Sequence, residues 1–306
     1  MEADVGQLAY TEDCAVLGNG TLMPLAGFGT WELRGGACSD LVSLALRLGG
    51  RHIDTPRMYG NEEAVGLGIR KSGVPREKIF LTTKLMDSGG FRNSLRDIGD
   101  SLRKLGTDYV DLLLLHEPYG GKYEIYRAME QALEDGRARA IGVSNFNLQA
   151  LGEFSSRVRV MPMADQVEAH VLLQREEFAR RLISAGIAPV AWSPLGGGGA
   201  GIPSNPLLAE IGRAHGKSAA QTALRFLTEE GFAVIPRTSD PGRIKENHEI
   251  LDFTLGSEEM ERIRELDCGR ASSAGLRLMS DNEAAQRMPP RPSFEPGIIP
   301  PRSAYA

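Results

Sequence analysis

Apolar residues in this chain occur mainly as short, continuous runs. The runs predict β-strands, and in chain order they read LAGFGTW (ending near Trp31), HIDT, IFLTTK, VDLLLLH, ARAIGVS, ADQVEAH, IAPVAWS and FAVIP. They are continuous rather than alternating, which is typical of parallel strands that are covered on both faces. The pattern therefore favours a parallel sheet enclosed by helices.

Segments of helical periodicity lie between the predicted strands. In chain order they are LVSLALRL, EEAVGLGIRK, SLRDIGDSLRKL, YEIYRAMEQALED, LQALGEF, EEFARRLISA, AAQTALRFLTEE and RIKENHEIL. In the third segment, Ile98, Leu102 and Leu105 fall on one helical face. Several segments end at a glycine, such as Gly106, which is common after a helix because glycine adopts the left-handed conformation at little cost. The sequence GLG at 66–68 lies inside a helix, where we expect close packing.

Eight strand–helix units in roughly 250 residues suit a (β/α)8 barrel. The competing architecture is a doubly wound sheet, for which we expect a glycine-rich fingerprint after the first strand, and none occurs there. Two short apolar stretches around 18–20 predict a β-hairpin before the barrel. After the helix predicted by GSEEMERIRELD, residues 269–306 are rich in Pro, Arg, Ser and Ala and lack periodicity. We therefore predict a single α/β barrel domain over 1–268 and an irregular C-terminal arm over 269–306.

Composition and charge change this picture little. Apolar residues make up 42% and charged residues 25% of the 306 residues, as in ordinary globular proteins. The net charge of −5 argues against nucleic acid or an anionic membrane as the main partner, and no apolar run is long enough to span a bilayer. An N-terminus without a secretory signal and three widely spaced cysteines predict a cytoplasmic location with reduced thiols. The histidines show no HExxH pattern, so we predict no metal site. We also expect the protein to be a monomer.

Four polar side chains stand at the ends of three consecutive predicted strands. Asp54 ends the strand in HIDTPRMYGNE and Tyr59 follows in the turn, while Lys84 and His116 end the next two strands. In a parallel barrel these strand ends meet at one mouth, where active sites lie. Each residue alone is more often part of a surface ion pair or a core edge. Together, four compatible groups at successive strand ends favour a catalytic site.

Tyr59 is the candidate proton donor of this site. A tyrosine has an ordinary pKa of about 10, and an ammonium group held against the phenol lowers it. We expect Lys84 to act in this way, with Asp54 keeping Lys84 charged and oriented. We expect His116 to donate a hydrogen bond to the oxygen of a substrate carbonyl and to fix its orientation.

Further motifs surround these four residues. DTPRMYGNE, TTKL, LLLLHEP, IGVSNF, DQVE, WSPL and VIPRT with RIKEN occur in this order between Gly27 and Asn247. Together they resemble the aldo-keto reductase family, and the segment HEPYGGKYEIYRAME most resembles its bacterial 2,5-diketogluconate-reductase-like branch. The resemblance implies a (β/α)8 TIM barrel that uses NADPH to reduce aldehydes and ketones to alcohols. The four strand-end residues match the catalytic four of the family.

The resemblance also implies a set of cofactor contacts. Thr30 and Asp54 correspond to residues beside the nicotinamide ribose, and Trp192 replaces a tyrosine that stacks on the nicotinamide ring. The nicotinamide carboxamide corresponds to Ser144, Asn145 and Gln166, and the pyrophosphate to Ser193 and Leu195. The 2′-phosphate corresponds to Arg237, Thr238 and Arg243, and the adenine to Glu246 and Asn247. Two arginines and a hydroxyl after the last strand also suit a phosphate on chemical grounds, which favours NADPH over NADH. The loop GGGGAG lacks a phosphate-loop pattern, and we expect it to close over the cofactor.

Departures from the family pattern bear on the substrate, which we expect to be a small-molecule carbonyl compound. Trp31 and Met58 are expected to line the substrate pocket, with Met86 where some relatives have an aromatic residue. Glu117 follows His116 where many relatives have tryptophan. A carboxylate at this position predicts a less apolar pocket that favours hydroxylated or cationic substrates.

Two other functions stay open at this point. A Schiff-base aldolase would use Lys84 as its nucleophile and would not need a phosphate clamp of Arg237 and Arg243. A non-catalytic barrel would bind NADPH without oxidising it. The leading prediction is NADPH-dependent carbonyl reduction, with a hydride from nicotinamide C4 and a proton from Tyr59.

Overall fold

The computed structural model describes residues 7–86, 89–118 and 121–271. Within these ranges an eight-stranded parallel sheet has its strands in chain order. Three N-terminal strands are β1 (Ala9–Tyr10), β2 (Cys14–Val16) and β3 (Leu22–Pro24), and the sheet consists of β4 (Phe28–Gly29), β5 (His52–Asp54), β6 (Phe80–Leu85), β7 (Val110–Leu115), β8 (Ala138–Ser144), β9 (Ala164–Glu168), β10 (Ala188–Trp192) and β11 (Ala233–Val234). Each apolar run that predicts a barrel strand overlaps one of them.

Backbone contacts between the first and last strands of this sheet close it into a ring. Ala26 and Val234 form a parallel bridge. The Gly27 amide also donates a hydrogen bond to the Val234 carbonyl at 2.8 Å. A closed ring of eight parallel strands is a (β/α)8 barrel, so the predicted fold class is confirmed. The doubly wound alternative is excluded because its sheet stays open.

A small antiparallel sheet of β1, β2 and β3 precedes the barrel. β2 and β3 form the predicted hairpin, with Ala15 paired to Met23. The sequence analysis did not predict β1, because a two-residue strand carries too little apolar pattern. A long-range contact supports it, since the Tyr10 hydroxyl donates to the Gly231 carbonyl at 2.7 Å.

The helices are α1 (Gly35–Arg47), α2 (Glu62–Ser72), α3 (Phe91–Leu105), α4 (Lys122–Glu134), α5 (Leu148–Ser155), α6 (Glu176–Ser184), α7 (Pro206–Ala214), α8 (Ala219–Glu229), α9 (Pro241–His248) and α10 (Ser257–Arg264). All of them except α7 match predicted segments. α7 buries Leu208 and Ile211. It is an additional helix between β10 and α8, outside the predicted pattern of one helix per strand. Its start is set by the Asn205 side chain, which accepts from the Leu207 amide at 3.0 Å. None of the helices in the described ranges is long and apolar enough to cross a bilayer.

Two glycines inside α2 let its neighbours approach closely, as predicted. A Cβ on Gly66 would lie 2.3 Å from the Leu105 carbonyl oxygen at the end of α3. A Cβ on Gly68 would lie 2.6 Å from the Ser39 carbonyl oxygen in α1. Both distances are shorter than any real contact, so only glycine allows α2 to pack between α1 and α3.

The predicted arm begins where the described chain ends. Residues 269–271 are described, and the remainder of the arm, 272–306, lies outside the described residues. The Arg270 amide donates to the carbonyl of Leu172 at 3.0 Å, in the loop that follows β9. The first residues of the arm therefore lie at the carboxyl-terminal mouth of the barrel. The boundary between barrel and arm stays a prediction.

Candidate active site

The carboxyl-terminal ends of β5, β6 and β9 bring three polar side chains together. Lys84 Nζ donates a short hydrogen bond to Asp54 Oδ1, and Gln166 Nε2 donates to Asp54 Oδ2 at 2.8 Å. All three side chains are buried. Both carboxylate oxygens of Asp54 are thus paired, which compensates its buried charge and fixes its orientation. We call Asp54, Lys84 and Gln166 the floor of the site.

His116 follows β7 beside the floor. Its amide donates to the Leu85 carbonyl at 2.8 Å, which holds it at the end of β6. Burial and the ammonium group of Lys84 lower the pKa of His116 to about 4, against the opposing effect of Asp54. The imidazole is therefore neutral at physiological pH and has one N–H to donate. Burial also lowers the pKa of Lys84, and the Asp54 carboxylate opposes that shift.

Tyr59 ends a single 3-10 turn, Arg57–Tyr59, between β5 and α2. The turn is anchored to α3, because the Arg57 guanidinium donates to the Asp97 carboxylate at 2.7 Å. The residue that begins α2 is anchored as well, since the buried Asn61 amide donates to the Thr30 carbonyl at 2.9 Å. These contacts hold the loop that carries Tyr59 against the mouth of the barrel.

The pKa of Tyr59 is raised, contrary to the predicted lowering. Burial of the phenol is the larger cause, and the negative charge of Asp54 is the second. The ammonium group of Lys84 is paired with Asp54, so its charge is largely compensated at the phenol. The prediction that the pKa of Tyr59 is lowered is therefore wrong for this structure. Tyr59 keeps its proton well above neutral pH.

A cavity of about 820 Å³ opens at this end of the barrel. Predicted catalytic, cofactor and substrate residues line it: Thr30, Trp31, Asp54, Met58, Tyr59, His116, Glu117, Ser144, Asn145, Gln166, Trp192, Ser193, Leu195, Arg237, Thr238 and Arg243. The structure thus gathers side chains from the ends of most of the barrel strands around one cavity. A cavity of this size is suited to a cofactor together with a small substrate.

Four predicted site residues do not line this cavity. Lys84 lies beneath it in the floor. Glu246 and Asn247 are on α9, where the Glu246 carboxylate accepts a short hydrogen bond from the Ser218 hydroxyl. Met86 directly follows β6 and is partly exposed. The contacts predicted for Glu246, Asn247 and Met86 stay predictions.

The sequence analysis missed part of the lining. The cavity is also lined by Gly29, Glu32, Pro194, Ala200, Ile235, Pro236, Ser239, Asp240, Arg270 and Ala271, and by three glycines of the predicted loop, Gly196, Gly197 and Gly199. Residues 235–240 directly follow β11, so their place after a strand was a usable signal. No local pattern indicates Arg270, because only the path of the chain after α10 brings it to the mouth.

Three cavity residues have unusual backbone conformations. In the described part of the chain, the non-glycine residues with positive φ are Glu32, Asn145, Arg175 and Ser193. Glu32, Asn145 and Ser193 follow three different barrel strands and line the cavity. A left-handed backbone is unfavourable for residues with a Cβ, and such residues gather at functional sites. Their positions therefore support the assignment of this cavity as the functional site.

Asn145 links the two walls of the cavity. Trp192 Nε1 donates to Asn145 Oδ1 at 2.9 Å. Asn145 Nδ2 in turn donates to Glu117 Oε1 at 3.0 Å and to the His116 carbonyl at 3.3 Å. Both ends of the amide are thereby used, so its orientation is fixed by its neighbours.

Positive charge gathers after β11. Arg237 and Arg243 line the cavity, and neither has an ion-pair partner among the residues that the structure describes. Arg237 is fixed through its Nε, which donates to the Trp31 carbonyl at 2.9 Å. Asp240 begins α9 and accepts from the Gly242 amide at 2.7 Å.

Throughout the described ranges, no group of three or more His, Cys, Asp or Glu side chains could hold a metal ion.

The model of the Aldo/keto reductase family matches residues 26–267. The chain belongs to this family. It is 42% identical over 259 residues to the 9,11-endoperoxide prostaglandin H2 reductase of Trypanosoma cruzi, covering 83% of this chain and 92% of that protein. It is 39% identical over 259 residues to the glyoxal reductase of Bacillus subtilis, covering 84% and 93%. The aldo-keto reductase of Bombyx mori in complex with NADP has a TM-score of 0.81 and 31% identity, covering 87% of this chain and 96% of that chain.

As an aldo/keto reductase, the protein is an NADP-dependent oxidoreductase that reduces small carbonyl compounds with NADPH. Its residues fit the cofactor. The Thr30 hydroxyl is buried without a hydrogen-bond partner in the described ranges, so a cofactor hydroxyl would satisfy it. Trp192 presents an aromatic side chain to the cavity, and Arg237 and Arg243 are suited to a phosphate group.

Proposed function

We propose that Tyr59 is the proton donor of the reduction and that Asp54, Lys84 and His116 are its catalytic partners. The observation that supports this most strongly is the buried Asp54–Lys84 ion pair at a cavity lined by Tyr59 and His116. A buried ion pair is unfavourable unless its charges are well compensated. Fixed charges of this kind are suited to stabilising charge that develops on a reacting oxygen.

In this proposal Tyr59 donates its phenolic proton to the carbonyl oxygen as that oxygen becomes an alkoxide. The raised pKa keeps the phenol protonated across the neutral range, which is the form that reduction requires. Lys84, which is paired with Asp54, offsets only part of the unfavourable effect that burial and Asp54 have on the phenolate that remains after the transfer. The phenol then recovers its proton from solvent.

His116 orients the substrate. Its neutral imidazole donates an N–H hydrogen bond to the carbonyl oxygen, which places this oxygen beside the Tyr59 hydroxyl. Because the pKa of His116 is lowered to about 4, this role does not change with pH in the neutral range.

Bound NADPH supplies the hydride. We assign Thr30 and Asp54 to its ribose and Trp192 to the face of its nicotinamide. We assign the carboxamide to Ser144, Asn145 and Gln166, and the pyrophosphate to Ser193 and Leu195. We assign the 2′-phosphate to Arg237, Thr238 and Arg243, and the adenine to Glu246 and Asn247. Gln166 uses its N–H on Asp54, which leaves its side-chain oxygen for the carboxamide. Asn145 Nδ2 already donates to Glu117 and His116, so in this assignment Asn145 Oδ1 accepts from the carboxamide through the lone pair that Trp192 does not use.

For the substrate, we propose a pocket formed by Trp31, Met58, Met86 and Glu117. The names of two relatives support testing a lipid endoperoxide and α-dicarbonyl compounds, and the resemblance to the 2,5-diketogluconate-reductase-like branch supports testing keto-sugars. We further propose a cytoplasmic monomer with no nucleic-acid partner, consistent with the net charge of −5. We propose one barrel domain over 1–268, with the arm of 269–306 starting at the mouth.

The test is NADPH oxidation over a panel of keto-sugars, α-dicarbonyls, aromatic aldehydes and keto-steroids, together with a lipid endoperoxide. We expect turnover with at least one class, and faster turnover with NADPH than with NADH. NADPH that binds and is never oxidised would instead indicate a non-catalytic barrel. Cofactor-independent turnover, with substrate trapped on Lys84 by borohydride, would indicate an aldolase. The burial of Lys84 beneath the cavity and its pairing with Asp54 argue against that nucleophile.

A further inference from the structure

Glu117 is a cavity residue that the chemistry of carbonyl reduction does not use. It directly follows His116 after β7 and lines the cavity. Its Oε1 accepts a hydrogen bond from Asn145 Nδ2 at 3.0 Å. Its Oε2 is buried and has no hydrogen-bond partner in the described part of the chain. A buried acceptor without a donor is unfavourable, so a ligand that brings a donor gains by reaching it.

The position of this carboxylate is set by its neighbours. Trp192 Nε1 donates to Asn145 Oδ1 at 2.9 Å, which turns the NH2 end of the Asn145 amide towards Glu117. The same NH2 group donates to the His116 carbonyl at 3.3 Å. Glu117 is therefore held close to the residue that we assign to the substrate carbonyl, in one arrangement and before any ligand arrives.

The charge of Glu117 is also uncompensated. In the floor, Asp54 is neutralised by Lys84, whereas Glu117 has no ion-pair partner among the described residues. Burial raises the pKa of Glu117, and the hydrogen bond from Asn145 opposes that shift. A cation placed beside the carboxyl would favour its ionised form and be attracted by it.

We propose that Glu117 is a specificity-determining residue, which favours carbonyl substrates that carry a cationic group or a hydroxyl and disfavours anionic ones. This inference rests on the proposed function, because it concerns the substrate of the same site. The carboxylate accepts the donor or attracts the cation of the substrate, while His116 orients the carbonyl oxygen. An anionic substituent is disfavoured by like-charge repulsion.

The experiment compares kcat/KM for NADPH-dependent reduction of four benzaldehydes: unsubstituted, and with a trimethylammonio, hydroxymethyl or carboxylate group at the meta or para position. Wild type is compared with Glu117→Gln, which keeps an acceptor for Asn145 and removes the charge. The cation-to-anion ratio is kcat/KM for the trimethylammonio benzaldehyde divided by kcat/KM for the carboxylate benzaldehyde. The different intrinsic reactivities of the two aldehydes cancel when this ratio is compared between the two proteins. We expect the ratio to fall about tenfold in Glu117→Gln, with a smaller fall for hydroxymethyl against unsubstituted benzaldehyde.

Two variants serve as controls. Glu32→Gln neutralises another carboxylate of the same cavity, which is exposed, so solvent screening should keep the ratio within about twofold of wild type. Glu117→Asp keeps the charge and should keep the preference. A purely structural role of Glu117 predicts the reverse order, with Gln tolerated better than the shorter Asp.

The pH dependence gives a second readout. In wild type the cation-to-anion ratio should rise with pH as Glu117 ionises, and in Glu117→Gln it should stay flat. Tyr59 and His116 do not titrate in the neutral range, because the pKa of Tyr59 is raised above it and the pKa of His116 is lowered below it. Their ionisation therefore does not contribute to this readout.

An unchanged ratio in Glu117→Gln, with normal reduction of benzaldehyde, overturns the inference and leaves the proposed function intact. If the wild type oxidises NADPH neither with these aldehydes nor with any class of the wider panel, both the inference and the proposed function are overturned. If Glu117→Gln does not fold, the wild-type ratio is measured at increasing salt. A ratio that falls with salt supports the inference, and one that does not change overturns it.

Discussion

The floor of the cavity and its rim are built in different ways. The floor is buried and both oxygens of its carboxylate are paired. The rim, by which we mean Trp31, Met58 and Glu117, comes from loops after the strands, and Trp31 and Met58 are 51% and 56% exposed. Strand ends hold groups rigidly, whereas loop residues change with little effect on the core. Chemistry and stability are therefore coupled in the floor, while substrate selection at the rim can vary on its own.

Tyr59 lies between the two regions, and its loss should have the largest effect. Tyr59→Phe removes the proton donor, so we expect kcat/KM for reduction to fall about 10²–10⁴-fold. NADPH affinity, measured by fluorescence titration, should change little. The control is Tyr109→Phe, because the Tyr109 hydroxyl has no hydrogen-bond partner in the described ranges and does not line the cavity. Near-normal turnover in Tyr59→Phe would contradict the assigned role.

Lys84→Met tests the coupling between chemistry and stability in the floor. It leaves the buried Asp54 carboxylate without its cation, so we expect activity to be lost and the free energy of unfolding to fall by about 3–5 kcal/mol. Urea denaturation measures this. Adding Asp54→Asn should restore part of the stability but none of the activity. The exposed Lys71–Asp40 pair is the control, and Lys71→Met should cost less than about 1 kcal/mol. If Lys84→Met and Lys71→Met lowered the free energy of unfolding by the same amount, the ion pair in the floor would contribute no more to stability than an exposed one.

Arg243→Ala tests the positive end of the cavity. Loss of a charge-assisted contact to the 2′-phosphate should weaken NADPH binding about 10–100-fold and leave NADH binding nearly unchanged. Titration with both cofactors measures the ratio. Lys245→Ala is the matched control, since Lys245 is a cation on the same helix that does not line the cavity and faces Glu249 at 3.5 Å. An equal loss for NADPH and NADH would argue against a phosphate contact.

The last prediction concerns Asp165, which is buried next to Gln166 and does not line the cavity. Burial raises the pKa of Asp165 well above its usual range, opposed by the Phe146 amide and the charge of Arg175. The folded state therefore keeps a proton that the unfolded chain releases above about pH 4. The free energy of unfolding should then decrease with rising pH, by up to about 1.4 kcal/mol per pH unit, until the raised pKa is reached.

Asp165→Asn removes this dependence. The variant should gain stability relative to wild type as the pH rises from about 5 to about 7, and urea denaturation at both values measures the difference. If the free energy of unfolding changed by the same amount between these pH values in wild type and in Asp165→Asn, Asp165 would be ionised in the folded state.

Much of the barrel could be predicted because its pattern is local. Continuous apolar runs and helix-ending glycines each occupy a few consecutive residues, and they located the barrel strands and all helices except α7. The closeness of Asp54, Tyr59 and His116 was also predictable, since parallel strand ends must meet at one mouth. α7 was not predicted because it is a second helix between β10 and β11, outside the pattern of one helix per strand. Arg270 was not predicted because no strand precedes it.

The sequence by itself determined the barrel and which strand ends carry polar groups, because both depend on residues that are neighbours in the chain. Only the tertiary structure decided how those groups behave. The direction of the Tyr59 pKa, the burial of the Asp54–Lys84 pair and the link from Trp192 through Asn145 to Glu117 all depend on distant partners. Asp54 and Gln166, for example, are 112 positions apart and bonded at 2.8 Å. Burial and electric fields depend on such contacts, and no local pattern contains them.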